Sequence, residues 1–144
     1  MAGYSGTPLA QKLGIKQDHL VAVLNPPDGL AATIAPLPSG VTVVDKLPAA
    51  GSMDVVVFFT KSRSDLRKAF RVVAKQLQPN GGLWIAWPKK ASGLETDVSE
   101  PVVREIGLAA GLVDNKVCAI DNTWSGLRFV IRLSDRPKKK ATAK

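Results

Sequence analysis

The 144-residue chain has few of the residues that commonly carry out catalysis. It contains one cysteine, Cys118, and one histidine, His19. A single cysteine excludes an internal disulfide and a zinc site built from several cysteines. Cys118 lies among apolar residues, where a thiol stays protonated and inert. No second ligand or nucleophile pattern accompanies His19, so we interpret it as structural or solvated. The chain also lacks a Gly-x-Ser-x-Gly elbow, a Walker lysine and a metal-spaced cluster, so no pattern predicts nucleophilic or metal-assisted catalysis.

Long hydrophobic runs are also missing. No apolar run approaches the ~18 residues that a membrane span needs, so we expect no membrane partner. Residues 1–6 lack the charged-then-apolar layout of a signal peptide. Together with the single cysteine, these absences favour the cytoplasm. A hydrophobic content of 45% and a charged content of 22% are typical of a soluble globular protein.

Acidic residues are outnumbered by basic ones, which gives a net charge of +8. Part of the excess lies in segment 134–144, which has five basic residues, one acidic residue and no apolar periodicity. We expect this segment to be a disordered basic tail and residues 1–133 to form a single domain. The tail is either solubilising or a weak, nonspecific site for polyanions.

The stretch from Asp54 to Trp87 organises the rest of the chain, because it has the pattern strand, helix, strand. Residues 54–59 form a nearly continuous apolar run, which is typical of a strand buried on both faces. Ser62, with an acidic residue three positions later, predicts a helix start. Residues 79–82, Pro-Asn-Gly-Gly, are expected to stop that helix, and residues 83–87 to form a second buried strand. Between the two predicted strands, one apolar stripe at helical spacing predicts the helix: Leu66, Ala69, Phe70, Val73 and Leu77. Two strands joined in this way are parallel.

Other segments extend this unit into a larger sheet. Further strands are expected at residues 19–24, 41–44, 117–120 and 127–133, and further helices at residues 7–14, 30–35 and 99–110. The last two strands are joined by the short turn 121–126, so they must be antiparallel. The sequence therefore predicts a three-layer α/β domain with roughly six strands, mostly parallel, and an antiparallel C-terminal strand.

Two resemblances support this fold. Residues 54–59, followed by Leu-Gln-Pro-Asn-Gly-Gly-Leu-Trp-Ile at 77–85, resemble the fourth strand and the turn into the fifth strand of class I S-adenosylmethionine-dependent methyltransferases. This resemblance implies a Rossmann-like sheet and S-adenosylmethionine as cofactor. Residues 3–15 and 121–129 resemble a family of small bacterial proteins of unknown function. That second resemblance spans nearly the whole chain and implies the fold and a cytoplasmic setting, but no activity.

The chain departs from the methyltransferases where the cofactor would bind. Their first strand runs into a Gly-rich turn, whereas this chain has Asn25-Pro-Pro-Asp-Gly29. Two prolines remove two backbone donors and fix φ where glycine would be permissive. Asn25, Gly29 and Asp45 are the candidate cofactor-binding residues, because by resemblance Asp45 occupies the place of the acidic residue that holds the ribose hydroxyls. Asp45 is also an ordinary turn residue. Residues 45–54 leave no room for the family's third strand and its helices. We therefore expect S-adenosylmethionine to bind weakly or not at all.

The carboxyl ends of the other strands supply a second group of candidates, since ligands bind at that edge of an open α/β sheet. Lys61 and the backbone N–H groups near Ser62 would attract an anion. Lys89 and Lys90 would add positive charge on the same side, and Trp87 would line the rim. The alternative is that these are ordinary loop residues.

The turn before the last strand contains a further candidate, Trp124. A large aromatic in a polar turn indicates burial or a ligand to stack on. We predict that its ring folds back over the sheet end and closes the space left by the lost Gly-rich turn. Asp121 and Asn122 are expected to fix the turn through hydrogen bonds to its backbone.

The helix after Ser62 has a basic face, formed by Arg63, Arg67, Lys68, Arg71 and Lys75. It is either a solvated surface or a polyanion-binding one. Three functions follow from these observations. The first is a non-enzymatic binding or interaction module with a degenerate methyltransferase-like fold. The second is a small S-adenosylmethionine-dependent methyltransferase, and the third is a weak, nonspecific nucleic-acid binder.

Overall fold

Six strands form a single sheet in a computed structural model that describes residues 8–46 and 51–135. The strand order is β2-β1-β3-β4-β6-β5. The first four strands are parallel, and β6 is antiparallel to its neighbours β4 and β5. The strands are β1 (Leu20–Leu24), β2 (Thr42–Val44), β3 (Met53–Phe59), β4 (Leu77–Pro88), β5 (Leu112–Ala119) and β6 (Trp124–Ile131). The predicted fold class, mostly parallel with an antiparallel C-terminal strand, is confirmed.

Helices cover both faces of this sheet and complete the three layers. They are α1 (Leu9–Lys12), α2 (Leu30–Ile34), α3 (Arg63–Ala74) and α4 (Glu100–Ala109), with short 3-10 turns at Lys90–Ser92 and Leu133–Asp135. Buried side chains of α3 and α4 pack against one face of the sheet, and those of α1 and α2 pack against the other. Within the described ranges, no helix is both long enough and apolar enough to cross a membrane.

Strand β3 lies in the middle of the sheet and is almost wholly buried, as predicted. Val56 and Phe58 contact the core beneath α3 and α4, whereas Val55, Val57 and Phe59 contact the core beneath α1 and α2. The run of apolar residues without polar alternation is explained by this burial on both faces, because each successive side chain enters a core.

Helix α3 begins as predicted but ends earlier. The Asp65 N–H donates to the Ser62 hydroxyl at 3.2 Å, which caps the first turn. The helix ends at Ala74, and the carbonyls of the next two residues accept hydrogen bonds from the backbone N–H groups of Gly51 and Met53. These contacts with the chain entering β3 end the helix before residues 79–82 are reached.

Residues 79–82 lie inside β4, so the prediction that they stop the helix is wrong. Between the pairs Met53–Leu77 and Val55–Gly82 the register shifts, and β4 gains three residues relative to β3. The extra residues form a bulge that contains Pro79. Because proline has no N–H, it could not donate the hydrogen bond that a regular position in a central strand requires. A Cβ on Gly81 would lie 2.7 Å from the Met53 carbonyl oxygen, so this close approach requires glycine.

The C-terminal hairpin is longer than predicted. Strand β5 begins at Leu112 rather than Val117, and β6 begins at Trp124 rather than Leu127. The start of β5 was not predicted because the run Asp114–Lys116 is polar. A register shift in this run interrupts the alternation of side chains on the edge strand. The two strands are antiparallel, as expected from their short connection.

The N-terminal segment packs across the sheet. The Trp84 indole N–H donates to the Leu13 carbonyl at 2.9 Å and holds the end of α1 against β4. Pro8 is the N-cap of α1 rather than its first helical residue, and Thr7, the predicted cap, lies outside the described residues. His19 accepts a hydrogen bond at Nδ1 from the Lys16 N–H at 3.1 Å, so its ring stabilises the turn before β1.

Strand β2 forms one edge of the sheet, and β5 forms the other. In the described part of the chain no strand follows β2 on its outer side, which agrees with the predicted loss of a third strand. Residues 47–50 of the connecting segment lie outside the described residues, as does most of the predicted tail at 134–144. The division into a domain at 1–133 and a disordered tail stays a prediction.

Candidate functional site

A cavity of about 870 Å³ lies at the carboxyl ends of β1 and β2, beside helix α2. Most of its lining is apolar, and two aspartates supply the charged groups. The lining residues are Val23, Pro26, Pro27, Asp28, Gly29, Leu30, Ala31, Ile34, Leu37, Val43, Val44 and Asp45. This is the edge at which open α/β sheets bind ligands.

The loop from Asn25 to Gly29 forms one wall of the cavity. Asn25 has a left-handed backbone with φ 56°, and its side-chain amide donates to the Phe59 carbonyl at 3.5 Å. Gly29 has φ 84°, a conformation that favours glycine, and it precedes α2 directly. The two prolines between them present their rings to the cavity wall and have no N–H to donate. Of the predicted cofactor-binding residues in this loop, Gly29 lines the cavity, while the Asn25 side chain connects the end of β1 to the end of β3.

The opposite wall comes from the edge strand. Asp45 follows β2 and is exposed, and its carboxylate lines the same cavity as Gly29. The structure therefore brings together two of the three residues proposed from the resemblance. Sequence reasoning missed Val43 as a lining residue. Val43 is 44% exposed on the free edge, and an apolar side chain on a short strand with no outer neighbour was the available signal.

The N-terminus of α3 is already satisfied by the chain's own groups. The Arg63 N–H donates to a carboxylate oxygen of Asp97 at 2.7 Å, and the Asp65 N–H donates to Ser62. The Thr96 hydroxyl donates to the Lys61 carbonyl at 2.8 Å, which fixes the approaching loop. Two of the N–H groups that we expected to attract an anion are therefore occupied, and a carboxylate lies where the anion would bind.

The loops after β4 and β5 meet at the same rim, as predicted. The Lys89 N–H donates to the Thr123 carbonyl at 2.7 Å, and Lys90 begins the exposed 3-10 turn. Trp87 lies at the end of β4, but its side chain is buried in the core beneath α3 and α4. It therefore presents little of its ring to the rim. Trp84 enters the core on the opposite face, because two residues three positions apart on a strand point to opposite faces of the sheet.

Trp124 is buried, with 8% of its surface exposed. Its ring packs edge-to-face against Phe59, with centroids 5.2 Å apart and planes at 83°. One carboxylate oxygen of Asp121 accepts the N–H groups of Thr123 and Trp124, each at 2.8 Å, which fixes the turn. Asn122 is exposed, and the side-chain bonds of the turn come from Asp121. The Trp124 ring folds back over the sheet end, as predicted. However, it packs over the end of β3 and does not close the space beside residues 25–29, which remains a cavity.

Reactive groups do not converge on this cavity. Burial raises the pKa of the Cys118 thiol, which keeps it protonated as expected. Cys118 lies on β5, at the far edge of the sheet from β2. His19 precedes β1, whereas the cavity follows that strand. Among the residues of the described ranges, no three His, Cys, Asp or Glu side chains come together as a metal site would require.

A sheet with one reversed strand near its C-terminal edge, helices on both faces and a cavity after β1 and β2 defines a methyltransferase-like Rossmann protein. Residues 10–133 match the family described as "Protein of unknown function (DUF3052)", and the chain belongs to that family. No curated protein matches the chain.

Solved structures share this fold, and several of them are methyltransferases. An S-adenosylmethionine-dependent methyltransferase from Aquifex aeolicus aligns with a TM-score of 0.59 at 14% identity, over 90% of this chain and 91% of that one. The fibrillarin pre-rRNA processing protein of Methanococcus jannaschii aligns at 0.57 and 13% identity, over 87% and 69%. Magnesium protoporphyrin IX methyltransferase from Synechocystis PCC 6803, solved with bound SAH, aligns at 0.54 and 11% identity, over 81% and 75%. Identities this low show similarity of fold alone.

Proposed function

We propose that this protein is a non-enzymatic binding module whose cavity after β1 and β2 takes a small neutral or cationic ligand of nucleoside size. The observation that carries the proposal is the cavity lining, which is largely apolar and has Asp28 and Asp45 as its charged groups. Pockets that hold small molecules typically measure ~300–1,000 Å³, and the volume of about 870 Å³ lies within that range.

The polar groups of the cavity favour a ligand that donates hydrogen bonds. Ionised carboxylates of Asp28 and Asp45 accept hydrogen bonds and attract amino groups, and they repel anions. Pro26 and Pro27 have no backbone N–H to offer to a phosphate or carboxylate. Helix α2 has five residues, too few for a strong dipole at its N-terminus. An apolar ring carrying hydroxyl or amino groups therefore fits this lining better than an anion does.

Binding without group transfer is supported by the loop between Asn25 and Gly29. The backbone that approaches a cofactor closely in the resembling enzymes is replaced here by two proline rings at the cavity wall. The chain's thiol and imidazole lie at the opposite edge of the sheet and at the opposite end of β1. A ligand in this cavity therefore meets hydrogen-bond acceptors and apolar surface rather than the chain's thiol or imidazole.

Calorimetry with a matched pair of ligands tests the proposal. Adenosine is expected to bind at least about tenfold more tightly than adenosine monophosphate, because the phosphate meets two carboxylates and two prolines that have no N–H to donate. Asp45→Asn should weaken adenosine binding and reduce the discrimination against the monophosphate. Glu105→Gln, an exposed change on α4 of equal charge, is the control and should alter neither affinity. Equal or tighter binding of the monophosphate would reject the proposal, as would failure of adenosine to bind at millimolar concentration.

A second candidate function, a small S-adenosylmethionine-dependent methyltransferase, is favoured by one observation. Gly29, with its positive φ, and Asp45 line the same cavity, in the places that the resemblance gives to the glycine turn and the ribose-binding acid. Low-micromolar affinity for S-adenosylmethionine that Asp45→Ala removes would favour this candidate over the first.

A further inference from the structure

The outer surface of α3 carries a band of positive charge remote from the cavity. The cationic band consists of five exposed side chains, Arg63, Arg67, Lys68, Arg71 and Lys75. With 3.6 residues per turn, these positions fall within an arc of about 140° on one side of the helix. The small residues Ser64 and Ala74 share that arc, and Asp65 lies outside it. The helix therefore presents one continuous cationic surface about 18 Å long.

The charges of the band are not neutralised by the fold. In the described ranges, the carboxylates that lie within 4.0 Å of a basic side chain are Glu100 and Asp114, and both pair with Arg104. Arg71 donates to the Ala109 carbonyl at 3.1 Å, a neutral acceptor. The Asp97 carboxylate accepts a hydrogen bond from the Arg63 backbone N–H, so this acidic group lies at the first turn of α3. Among the described residues, no carboxylate lies within 4.0 Å of a side-chain cation in the remaining two turns of α3.

The opposite side of α3 is anchored in the core. Leu66, Phe70 and Val73 are buried, and Phe70 packs edge-to-face against Phe129 with centroids 5.3 Å apart. The apolar face of the helix is therefore not available to insert into a lipid surface. The cations are held on a rigid support rather than on a flexible segment, so their spacing is fixed before any partner binds.

We propose that the cationic band binds the phosphate backbone of nucleic acid without reading its sequence. Cations at every fourth residue recur at about 6 Å along the helix, and one strand of a duplex supplies a phosphate every ~3.4 Å of its axis. An 18 Å band therefore spans about five phosphates. Three of the five cations are arginines, whose guanidinium groups bind phosphate oxygens in a bidentate manner.

The composition of the band separates this partner from an acidic protein. Protein interfaces depend on apolar or aromatic anchors at their centre, and the arc contains none. Phe70, the only aromatic residue of α3, is buried, and the exposed Val72 lies about 40° outside the arc. The same lack of exposed rings excludes base stacking by this surface. Contact through phosphates alone predicts binding that is independent of sequence and steeply dependent on salt.

The test measures the salt dependence of binding between the full chain and a fluorescent 20-base-pair duplex of arbitrary sequence. The band variant carries Arg63→Gln, Arg67→Gln, Lys68→Gln and Lys75→Gln, while Arg71 is kept because it bonds the end of α4. Each lost phosphate contact reduces the slope of log K against log salt by about 0.9, so the four changes should reduce it by about 3–4. Between 50 and 200 mM salt, the wild-type protein should therefore lose roughly 100-fold more affinity for the duplex than the band variant loses.

A control variant of equal charge removes four exposed cations that lie outside α3: Lys16, Lys46, Lys116 and Arg132, each changed to Gln. This variant should keep most of the wild-type slope, and both variants should melt within about 2 °C of wild type, since exposed substitutions have small effects. Equal slopes for the two variants would overturn the proposal, because binding would then follow net charge or the segment beyond Asp135. Displacement of the duplex by polyglutamate at equal charge concentration would overturn the assignment to nucleic acid. Failure of polyglutamate to compete supports it.

Discussion

Replacing Trp124 by alanine is the change most informative about how the cavity edge of the sheet is held. Trp124 is buried, and only 8% of the residue's surface remains accessible to solvent. Truncation of a buried tryptophan to alanine costs about 3–5 kcal/mol of unfolding free energy. The edge-to-face contact with Phe59 at 5.2 Å contributes about 0.5–1.5 kcal/mol of this. We therefore expect Trp124→Ala to lower the free energy of unfolding by about 3–5 kcal/mol.

Chemical denaturation and thermal melting measure this effect. For a domain of this size the melting temperature should fall by roughly 10–17 °C. Val117→Ala is a matched control on the same hairpin, because Val117 is 55% exposed and its truncation should shift the midpoint by less than about 2 °C. An unchanged melting temperature for Trp124→Ala, with loss of a binding event, would show that the ring serves as a ligand platform and would refute the structural role.

Three further predictions concern single side chains. Asp121→Ala should lower the unfolding free energy by about 1–3 kcal/mol, measured by urea denaturation, because two backbone N–H groups lose their carboxylate acceptor; an effect below about 0.5 kcal/mol would contradict this. Asp97→Ala should cost about 1 kcal/mol and increase hydrogen exchange at Arg63, since the first turn of α3 loses a charged cap; unchanged exchange there would argue against it. At pH 8.5 iodoacetamide should alkylate Cys118 more slowly in the folded protein than in urea, because burial raises the pKa of its thiol and the thiolate forms only at higher pH; equal rates would contradict the burial argument.

The central unit of the fold could be predicted because local and tertiary signals agree there. Residues 55–59 are apolar throughout, and the structure buries them on both faces. The Ser62 cap and the stripe of α3 as far as Val73 follow from propensity and periodicity alone, and both are present. Leu77, which was also predicted to belong to the stripe, begins β4 instead. The antiparallel hairpin follows from the length of its turn. In each case a short-range pattern is sufficient, because the element needs no distant partner to be specified.

Features that depend on distant partners could not be predicted. Pro79 and Gly81 indicate a turn by composition, yet the pairing with Met53 draws them into a bulged strand. The carboxylate at the start of α3 comes from Asp97, 34 residues away in sequence, so the apparent anion site was occupied. The left-handed backbone of Asn25 and its contact with Phe59 likewise depend on β1 lying beside β3.

The candidate site was predicted in part. Gly29 and Asp45 were selected by resemblance, and the cavity joins them. Trp87 and Trp124 were placed near the rim correctly, but their side chains enter the two cores. The cavity itself had no sequence signal, because it arises from the absence of a strand outside β2 and from the short α2.

Calorimetric titration of the purified protein with S-adenosylmethionine tests the central claim most directly. The claim is that Pro26 and Pro27 remove backbone donors from the loop after β1, where a cofactor's carboxylate would need them. Because these two residues offer no N–H to that carboxylate, we predict no saturable heat at micromolar concentrations. A dissociation constant in the low micromolar range would contradict the account and would show that Pro26 and Pro27 do not prevent cofactor binding.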